Sequence, residues 1–368
     1  SMKILHIYKD YYPPVLGGIE THINALATGM AHRHEISVLV CGKGWQTTRE
    51  NLDGVTVVRI GCPIRAFSNP FAPCFPYWLR RLDADILHFH LPLPTATVAW
   101  QIARPKGKVI VTYHSDIVRQ SWALAAYGPL QQAFLRKAFR ILVTSPNYLQ
   151  SSTHLQSHRE RCRVVPLGMD LALFEPNEAV IRHATMLREQ WGSRVVLFVG
   201  KLRYYKGLTY LISAMKSVNA TLVLVGGGPL ETQLRRQAQE EGISERVVFV
   251  GDMERDQLPS YYYACDLFCL PSIYRSEAFG LVQIEAAACA KPVVSTALAS
   301  GVPYVNQHEK TGLIVPPQNP EALAQAINTL LDDPALSQRM GSYARERAFR
   351  EFTLEKMLER VESIYEEC

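Results

Sequence analysis

The chain has 368 residues, 48 % of them hydrophobic and 20 % charged, with a net charge of +5, a make-up that excludes a disordered, low-complexity or collagen-like chain. No apolar run reaches the roughly 18–20 residues that a spanning helix needs, and residues 1–14 lack the basic-then-apolar layout of a signal peptide, so a cytoplasmic location is expected. The charge is uneven: residues 1–170 carry 19 Lys and Arg against 10 Asp and Glu, a net +9, while residues 171–368 carry 20 against 24, a net −4, and the basic half is the one expected to face something anionic.

A chain of this length predicts two domains of roughly 150–200 residues each. The opening segment reads as a buried strand over residues 2–8, a loop holding Gly17-Gly18, and an amphipathic helix over residues 19–32. EISVLVCG, VTVVRIG, DADILHFH, GKVIVTYHSD, RILVTSP and CRVVPLG follow, short β-branched runs of which several are separated by helix-length segments. That alternation predicts a parallel sheet covered by helices. After PLGMDLALFEPNEAV the pattern restarts with RVVLFVGKLRYYKG, ATLVLVGGGP, ERVVFVGD, ADLFCLPS, KPVVST and TGLIVPP. Two successive doubly wound units are therefore expected, joined near residues 168–180, with ligands bound outside the carboxyl ends of the strands in a cleft between the two. A charged amphipathic helix, EFTLEKMLERVESIYEE, closes the chain and has either domain available to cap.

Three features point away from metal chemistry. The eight cysteines contain no C-x-x-C pair and most lie in apolar surroundings, so buried reduced thiols are expected. Asp83-Ala84-Asp85 spells a D-x-D but sits before the strand ILHFH, at the wrong end for a site, where Asp is a common turn former. His88 and His90 share one strand face, yet no ligand with complementary spacing follows them, and a solvated or packed pair is the expectation.

The run SEAFGLVQIEAAACA, residues 276–290, is the most informative stretch. Residues 279–290 should be the crossover helix of a βαβ unit, apolar or small apart from Gln283 and Glu285, and a charge on such a helix needs a partner. Glu285 stands some 7–8 Å along the axis from Gly280, which marks the helix N-terminus, a natural anion site with unpaired N–H groups. Glu277 lies in the loop just ahead. A nucleotide sugar fits this layout, with its diphosphate on the helix N-terminus, its ribose on one carboxylate and its sugar on the other. Two other readings stay open from the residues alone: Glu277 as a capping carboxylate and Glu285 paired with a buried Arg or Lys.

E-A-F-G-L-V-x-x-E resembles the E-x7-E signature of the retaining glycosyltransferases of family 4. The resemblance extends over nearly the whole chain, through the Gly17-Gly18 loop, VTYHSD, VPLGMD, FVGKLRYYKG, VGGGP, ACAKPVVST and TGLIVPP in that order. YPPVLGGIE, KLRYYKG and RSEAFGLVQIEA look most like bacterial enzymes described as mannosyl- or rhamnosyltransferases of surface polysaccharide synthesis. The resemblance implies an α/β chain of the GT-B fold, with two facing Rossmann-like doubly wound parallel-sheet domains and an interdomain cleft. Residues 1–170 would bind the acceptor and residues 171–350 the nucleotide-sugar donor, with the helix at about 351–368 packing back on the first domain.

The same resemblance implies roles for single residues. Gly17 and Gly18 would offer backbone N–H groups to the diphosphate. Lys201 and Lys206 would neutralise it as it leaves, with Arg203 sharing that role because Lys201 stands where the family more often has Arg. His114 would lie beside the donor sugar at the reacting carbon. Glu277 would hold the sugar hydroxyls, Phe279, Gly280 and Leu281 would offer backbone N–H groups, and Glu285 would take the ribose. The base would contact residues 250–253 and the 226–228 loop, Gly227 included. The reaction implied is transfer of a hexose, mannose-like and from GDP-mannose, to a saccharide or lipid-linked saccharide with retention of configuration, without a cofactor or a bound metal.

Residues 63–82, rich in aromatics and prolines and ending in Arg80-Arg81, are expected to touch a membrane surface or a lipid-linked acceptor, or else to line the cleft. Nucleic-acid binding is not expected, since the basic residues form no compact arm or motif. The rival readings are a nucleotide-sugar 2-epimerase of the same architecture and a non-catalytic nucleotide-sugar-binding protein.

Overall fold

A computed structural model describes the chain apart from residues 16, 63, 67–68, 72 and 117–120, and describes only the backbone of residues 64–66, 69–71 and 121–126. Part of the expected membrane-facing segment, residues 63–82, thus lies outside the described residues. Contacts divide the chain into two compact units. The first holds residues 1–144, 152–166 and 357–368; the second holds residues 145–151 and 167–356.

Among the described residues the first unit is built on ten strands: β1 (Lys3–Ile7), β2 (Glu35–Cys41), β3 (Thr48–Leu52), β4 (Val55–Ile60), β5 (Ile64–Ala66), β6 (Asn69–Phe71), β7 (Ile86–Leu91), β8 (Lys108–Tyr113), β9 (Arg140–Val143) and β10 (Cys162–Val164). Eight form one sheet in the order β10-β9-β8-β7-β1-β2-β4-β3, and β5 and β6 form a separate hairpin. All pairs of the large sheet are parallel except β3 with β4. β7 is buried at every position because helices cover both faces, while β3, at the edge, is exposed along most of its length. The strand order reverses between β1 and β7. In the register of that pair His6 lies opposite His88, so the imidazoles of β1 and β7 flank the switch point, where open α/β sheets place their ligands.

The second unit has β11 (Val195–Val199), β12 (Thr221–Val225), β13 (Val247–Gly251), β14 (Leu267–Leu270), β15 (Val293–Thr296) and β16 (Gly312–Val315), all parallel in the order β13-β12-β11-β14-β15-β16. Its switch point lies between β11 and β14. The loops leaving those two strands carry Lys201, Arg203 and Lys206 on one side and Glu277 and Gly280 on the other. A large hydrophobic core fills this unit, with Phe198, Leu224, Phe268 and Ile284 among its fully buried members, and a small second cluster holds Ala184, Leu187 and Ala264.

Sequence and structure differ at element ends. The helix expected over residues 279–290 is shorter, Leu281–Ala288. Gly280 stands ahead of it in the left-handed region at φ 76°, so the backbone at Phe279 and Gly280 forms the entry turn rather than the first helical turn. The closing helix runs Leu354–Glu366. From Met357 onward it belongs to the first unit, where Glu362 meets Arg33 at 2.7 Å and His34 at 2.8 Å and the Tyr365 hydroxyl bonds His88.

Asp83-Ala84-Asp85 serves the sheet itself. Asp85 accepts the Lys3 amide at 2.8 Å and Asp83 lies 3.6 Å from the Lys3 ammonium, which together dock the start of β7 beside β1. The eight cysteines are thiols outside any disulfide, and Cys41, Cys62, Cys162, Cys265, Cys269 and Cys289 are buried. No helix among the described residues is long and apolar enough to cross a membrane.

Candidate active site

In the second unit the loops after β11 and β14 are fastened to each other. Lys206 ends a short turn, Tyr204–Lys206, and Gly207 follows at φ 71° with the Pro271 carbonyl oxygen 2.0 Å from where a Cβ would stand. Only glycine satisfies both the backbone angle and that approach. The Ile273 amide donates to the Tyr205 carbonyl at 2.9 Å. This brings the Lys206 ammonium within 2.6 Å of Glu277 Oε1, with the two side chains 12 % and 13 % exposed. The Ser272 hydroxyl donates to the same oxygen at 3.0 Å, and the Ser300 hydroxyl donates to the Glu277 main-chain carbonyl at 2.7 Å. Glu277 is therefore held at both ends, and its second carboxylate oxygen has none of these three contacts.

Three residues on, Gly280 turns the chain into the helix Leu281–Ala288. The first amides of that helix, those of Leu281 and Val282, have no intrahelical acceptor. Phe279 is buried and packs edge-on against Phe352, with ring centroids 5.9 Å apart. Glu285 lies one turn into the helix and is only 3 % exposed. Its Oε1 accepts the Tyr262 hydroxyl at 2.8 Å, and the half-exposed Arg255 guanidinium comes within 2.8 Å of Oε2. That approach lies off the hydrogen-bonding line, which leaves Oε2 without an aligned donor. Burial pushes the carboxyl pKa of Glu285 up, against the pull of Arg255 and Tyr262.

Lys201 is separate from this group. Its ammonium pairs with Asp252 at 3.2 Å, both side chains being more than half exposed, and the Gly227 amide donates to the same carboxylate oxygen at 2.9 Å. The Gly227 amide and then Lys201 hold the Asp252 carboxyl below its usual range. Arg203 is exposed, and no acidic side chain among the described residues pairs with it.

In the first unit, Gly17 precedes the helix Gly18–Met30. A Cβ on Gly17 would lie 1.9 Å from the carboxylate of the buried Glu20, whereas one on Gly18 would meet nothing within 4 Å. Packing thus explains the first glycine and leaves the second open to whatever approaches it. His114 follows β8 and is 8 % exposed. It belongs to a cluster of five histidines with His6, His22, His88 and His90. His90 Nδ1 lies 3.1 Å from His114 Nε2, and His90 Nε2 lies 3.1 Å from His6 Nδ1. His88 stacks on His90 with centroids 4.3 Å apart and bonds Tyr365 and Thr112 through its two nitrogens. Burial lowers the pKa of His6 to about 3 and those of His88, His90 and His114 well below the ordinary value.

Two trios of this cluster, His6 with His88 and His90, and His22 with His90 and His114, have ring nitrogens within 4.8 Å of one another, as a metal site would need. In both, His90 would have to give up its hydrogen bonds to other histidines. Spacing along the chain hides this cluster because its members come from β1, β7, the end of β8 and one helix. Sequence reasoning also missed Tyr262, Arg255, Ser272 and Glu20, and placed Asp252 in the base-contacting stretch 250–253 without foreseeing its pair with Lys201. Only Glu20 had a local signal, as the acid closing GGIE.

Two family models match the chain: Glycosyltransferase Family 4 over residues 16–173 and Glycosyl transferases group 1 over residues 186–347. The O-antigen chain mannosyltransferase C of Escherichia coli is 34 % identical over 99 % of this chain and 98 % of that protein. The D-rhamnosyltransferase WbpZ of Pseudomonas aeruginosa is 34 % identical over 96 % of this chain and 92 % of that protein. Among solved structures, a sucrose-phosphate synthase from Thermosynechococcus elongatus is similar with a TM-score of 0.78 at 26 % identity, covering 100 % of this chain and 99 % of that one. Anabaena Alr3699/HepE, solved in complex with UDP-glucose, reaches a TM-score of 0.77 at 23 % identity with both chains fully covered, a likeness of fold. Two parallel-sheet units of this kind make the GT-B architecture.

Proposed function

The chain belongs to glycosyltransferase family 4 and is a hexosyl-transferring enzyme, and on that premise we propose that it moves a mannose-like hexose from GDP-mannose to a saccharide or lipid-linked saccharide, with retention of configuration and without a metal. The relatives named for mannose and rhamnose transfer support the sugar class. One observation carries the donor site: Glu277, Gly280 and Glu285 lie in that order along the turn and first helical turns that follow β14, with the unpaired amides of Leu281 and Val282 between the two carboxylates.

In this reading the diphosphate takes the amides of Phe279, Gly280 and Leu281, together with the backbone N–H groups of Gly17 and of Gly18, the more open of the two. Glu277 accepts sugar hydroxyls through the oxygen that Lys206 leaves free. Glu285 accepts a ribose hydroxyl through Oε2, the oxygen lacking an aligned donor. Lys206 touches Glu277 already and reaches the leaving phosphate from the same place, so it couples sugar binding to departure. Lys201, held only by an exposed pair with Asp252, exchanges that partner for phosphate at little cost, and Arg203 adds a second mobile cation. Gly227 lies by the base. His114 acts at the reacting carbon.

The bond from the anomeric carbon to the diphosphate oxygen breaks, the bond to the acceptor oxygen forms on the same face, and the acceptor proton passes to the departing phosphate. Charge developing on that phosphate is offset by Lys201, Lys206 and the helix N-terminus, which is where such catalysis gains most. Neither carboxylate need act as nucleophile, since only Glu277 is assigned to the sugar.

A thermal-shift panel of GDP, UDP, dTDP and their sugars tests the donor. A ligand at a hundred times its dissociation constant stabilises by about 2.7 kcal/mol, so GDP-mannose should raise the melting temperature most. A panel without any shift overturns the reading. Product anomers seen by NMR test retention, and activity undiminished by EDTA tests metal independence.

The acceptor is proposed to be met at an anionic membrane surface from the cytoplasmic side. On the helix Phe75–Arg81, Tyr77 is 55 % exposed and Arg81 lies 5.9 Å from the rings of Tyr77 and Trp78, a cationic and aromatic pairing suited to an interface. Equal sedimentation with anionic and neutral liposomes would remove this part of the proposal.

A further inference from the structure

Three imidazoles of the first unit stand in single file, His6 to His90 to His114, joined by two nitrogen-to-nitrogen contacts of 3.1 Å. Each contact requires an N–H on one side and a lone pair on the other, and a neutral imidazole has one of each. Burial keeps all three rings neutral at ordinary pH. The protons must then all point the same way along the file. Either every ring carries its hydrogen on Nδ1, so that His6 donates to His90 and His90 to His114, or every ring carries it on Nε2 and the donation runs backwards. His6 Nε2 decides between them, because it is buried without a partner. The backward arrangement would leave an orphaned N–H there, and such groups are rare in native interiors. The forward arrangement leaves only a bare lone pair.

From this geometry we infer that His90 is a positioning residue that, held in turn by His6, fixes His114 as its Nδ1–H tautomer and anchors the ring through Nε2. The stacked ring of His88, itself tied to Tyr365 and Thr112, holds the plane of His90. His22 meets the His114 ring edge-on with centroids 5.1 Å apart. With Nε2 engaged, Nδ1 is the only ring nitrogen His114 has left to offer. Locked as Nδ1–H, it is a hydrogen-bond donor and not a base, able to steady a sugar hydroxyl or ring oxygen but not to take a proton from an acceptor. This catalytic consequence rests on the assignment of His114 to the donor sugar; the tautomer itself does not.

Long-range 1H–15N NMR on the whole chain labelled at histidine reads the tautomer of each ring without any substrate. His90 and His114 should both be Nδ1–H and should not titrate between pH 6 and 8. His90→Phe should release His114 into an Nε2–H or mixed state and lower kcat about tenfold to a hundredfold, the usual loss when an outer partner is removed. The donor KM and the nucleotide affinity should stay unchanged. His90→Gln, which keeps a donor and an acceptor, should recover part of kcat.

A wild-type His114 in the Nε2–H form overturns the inference, and that measurement needs no variant to fold. So does a His114 tautomer unchanged by His90→Phe. A third outcome also sinks it: one equivalent of Zn2+ moving the His90 and His114 nitrogens to metal-bound shifts would make the cluster a metal site. If the tautomers are as stated and no nucleotide sugar binds, the proposed donor fails and this inference stands; bound nucleotide with the wrong tautomer gives the reverse.

Discussion

The carboxyl edge of the first sheet is lined by imidazoles that burial keeps neutral, whereas the same edge of the second sheet carries ion pairs, Lys206 with Glu277, Arg255 with Glu285 and Lys201 with Asp252. Both edges sit at the reversal of strand order, so topology chose the place and side chains chose its chemistry. A neutral edge is sensitive to anything that adds a proton. A paired edge is sensitive to anything that removes one member of a pair. The difference teaches that two units of one architecture fail in different ways, and each failure can be provoked alone.

Acid should produce the largest effect, and on the first unit. His6 is held near pKa 3 in the fold against 6.5 when free, so below pH 6.5 the unfolded chain binds protons that the folded chain refuses. Stability present above 6.5 is then lost as pH falls, at about 1.4 kcal/mol per pH unit for each such histidine, and His88, His90 and His114 act in the same direction. Urea unfolding of the first unit at pH 7 and pH 5 measures this; equal midpoints would contradict the buried neutral cluster.

Next in size is Lys206→Ala. It strands Glu277 in a site that is about seven-eighths buried, and breaking a buried pair costs about 3–5 kcal/mol. Melting temperature and turnover should fall together. A variant that loses turnover with its melting temperature intact would mean that the pair is not closed in solution.

Glu285→Gln separates stability from binding. Because burial raises the Glu285 pKa, the folded state binds its proton more tightly than the unfolded state does. Stability is therefore drained as pH rises through the interval above 4.5. The amide keeps an acceptor for Tyr262 and removes that drain, so the variant should be at least as stable at pH 7, while nucleotide binding should weaken about tenfold for one lost charged hydrogen bond. Calorimetric titration with GDP checks the second half. The smallest structural effect should come from Lys201→Ala, whose exposed pair with Asp252 contributes little: no measurable change in melting temperature, with a drop in kcat/KM as the readout of its role.

The alternation of strands and helices was legible because parallel strands covered on both faces read as unbroken apolar runs, as VVLFV and ILHFHL do. The order of Glu277, Gly280 and Glu285 was legible because all three lie within nine residues. The start of the helix was not, because only the left-handed backbone at Gly280 reveals that Phe279 precedes it. The partners of these groups were out of reach as well: Tyr262 lies 23 positions from Glu285, and Lys206 lies 71 from Glu277. The clearest case is His88 and His90, read as a pair without company, when His6 and His114 stand 84 and 24 positions from His90 and meet it through the sheet.

The return of residues 357–368 to the first unit has a consequence for biosynthesis. His34 and Glu362 are 328 positions apart, and Tyr365 supplies the hydroxyl that bonds His88. A ribosome releases the second unit before it releases those residues, so the second unit is free to fold as it emerges while the first waits, its histidine-bearing strands made early and finished late. For that interval the nascent chain exposes the part of its first core that residues 357–368 later cover.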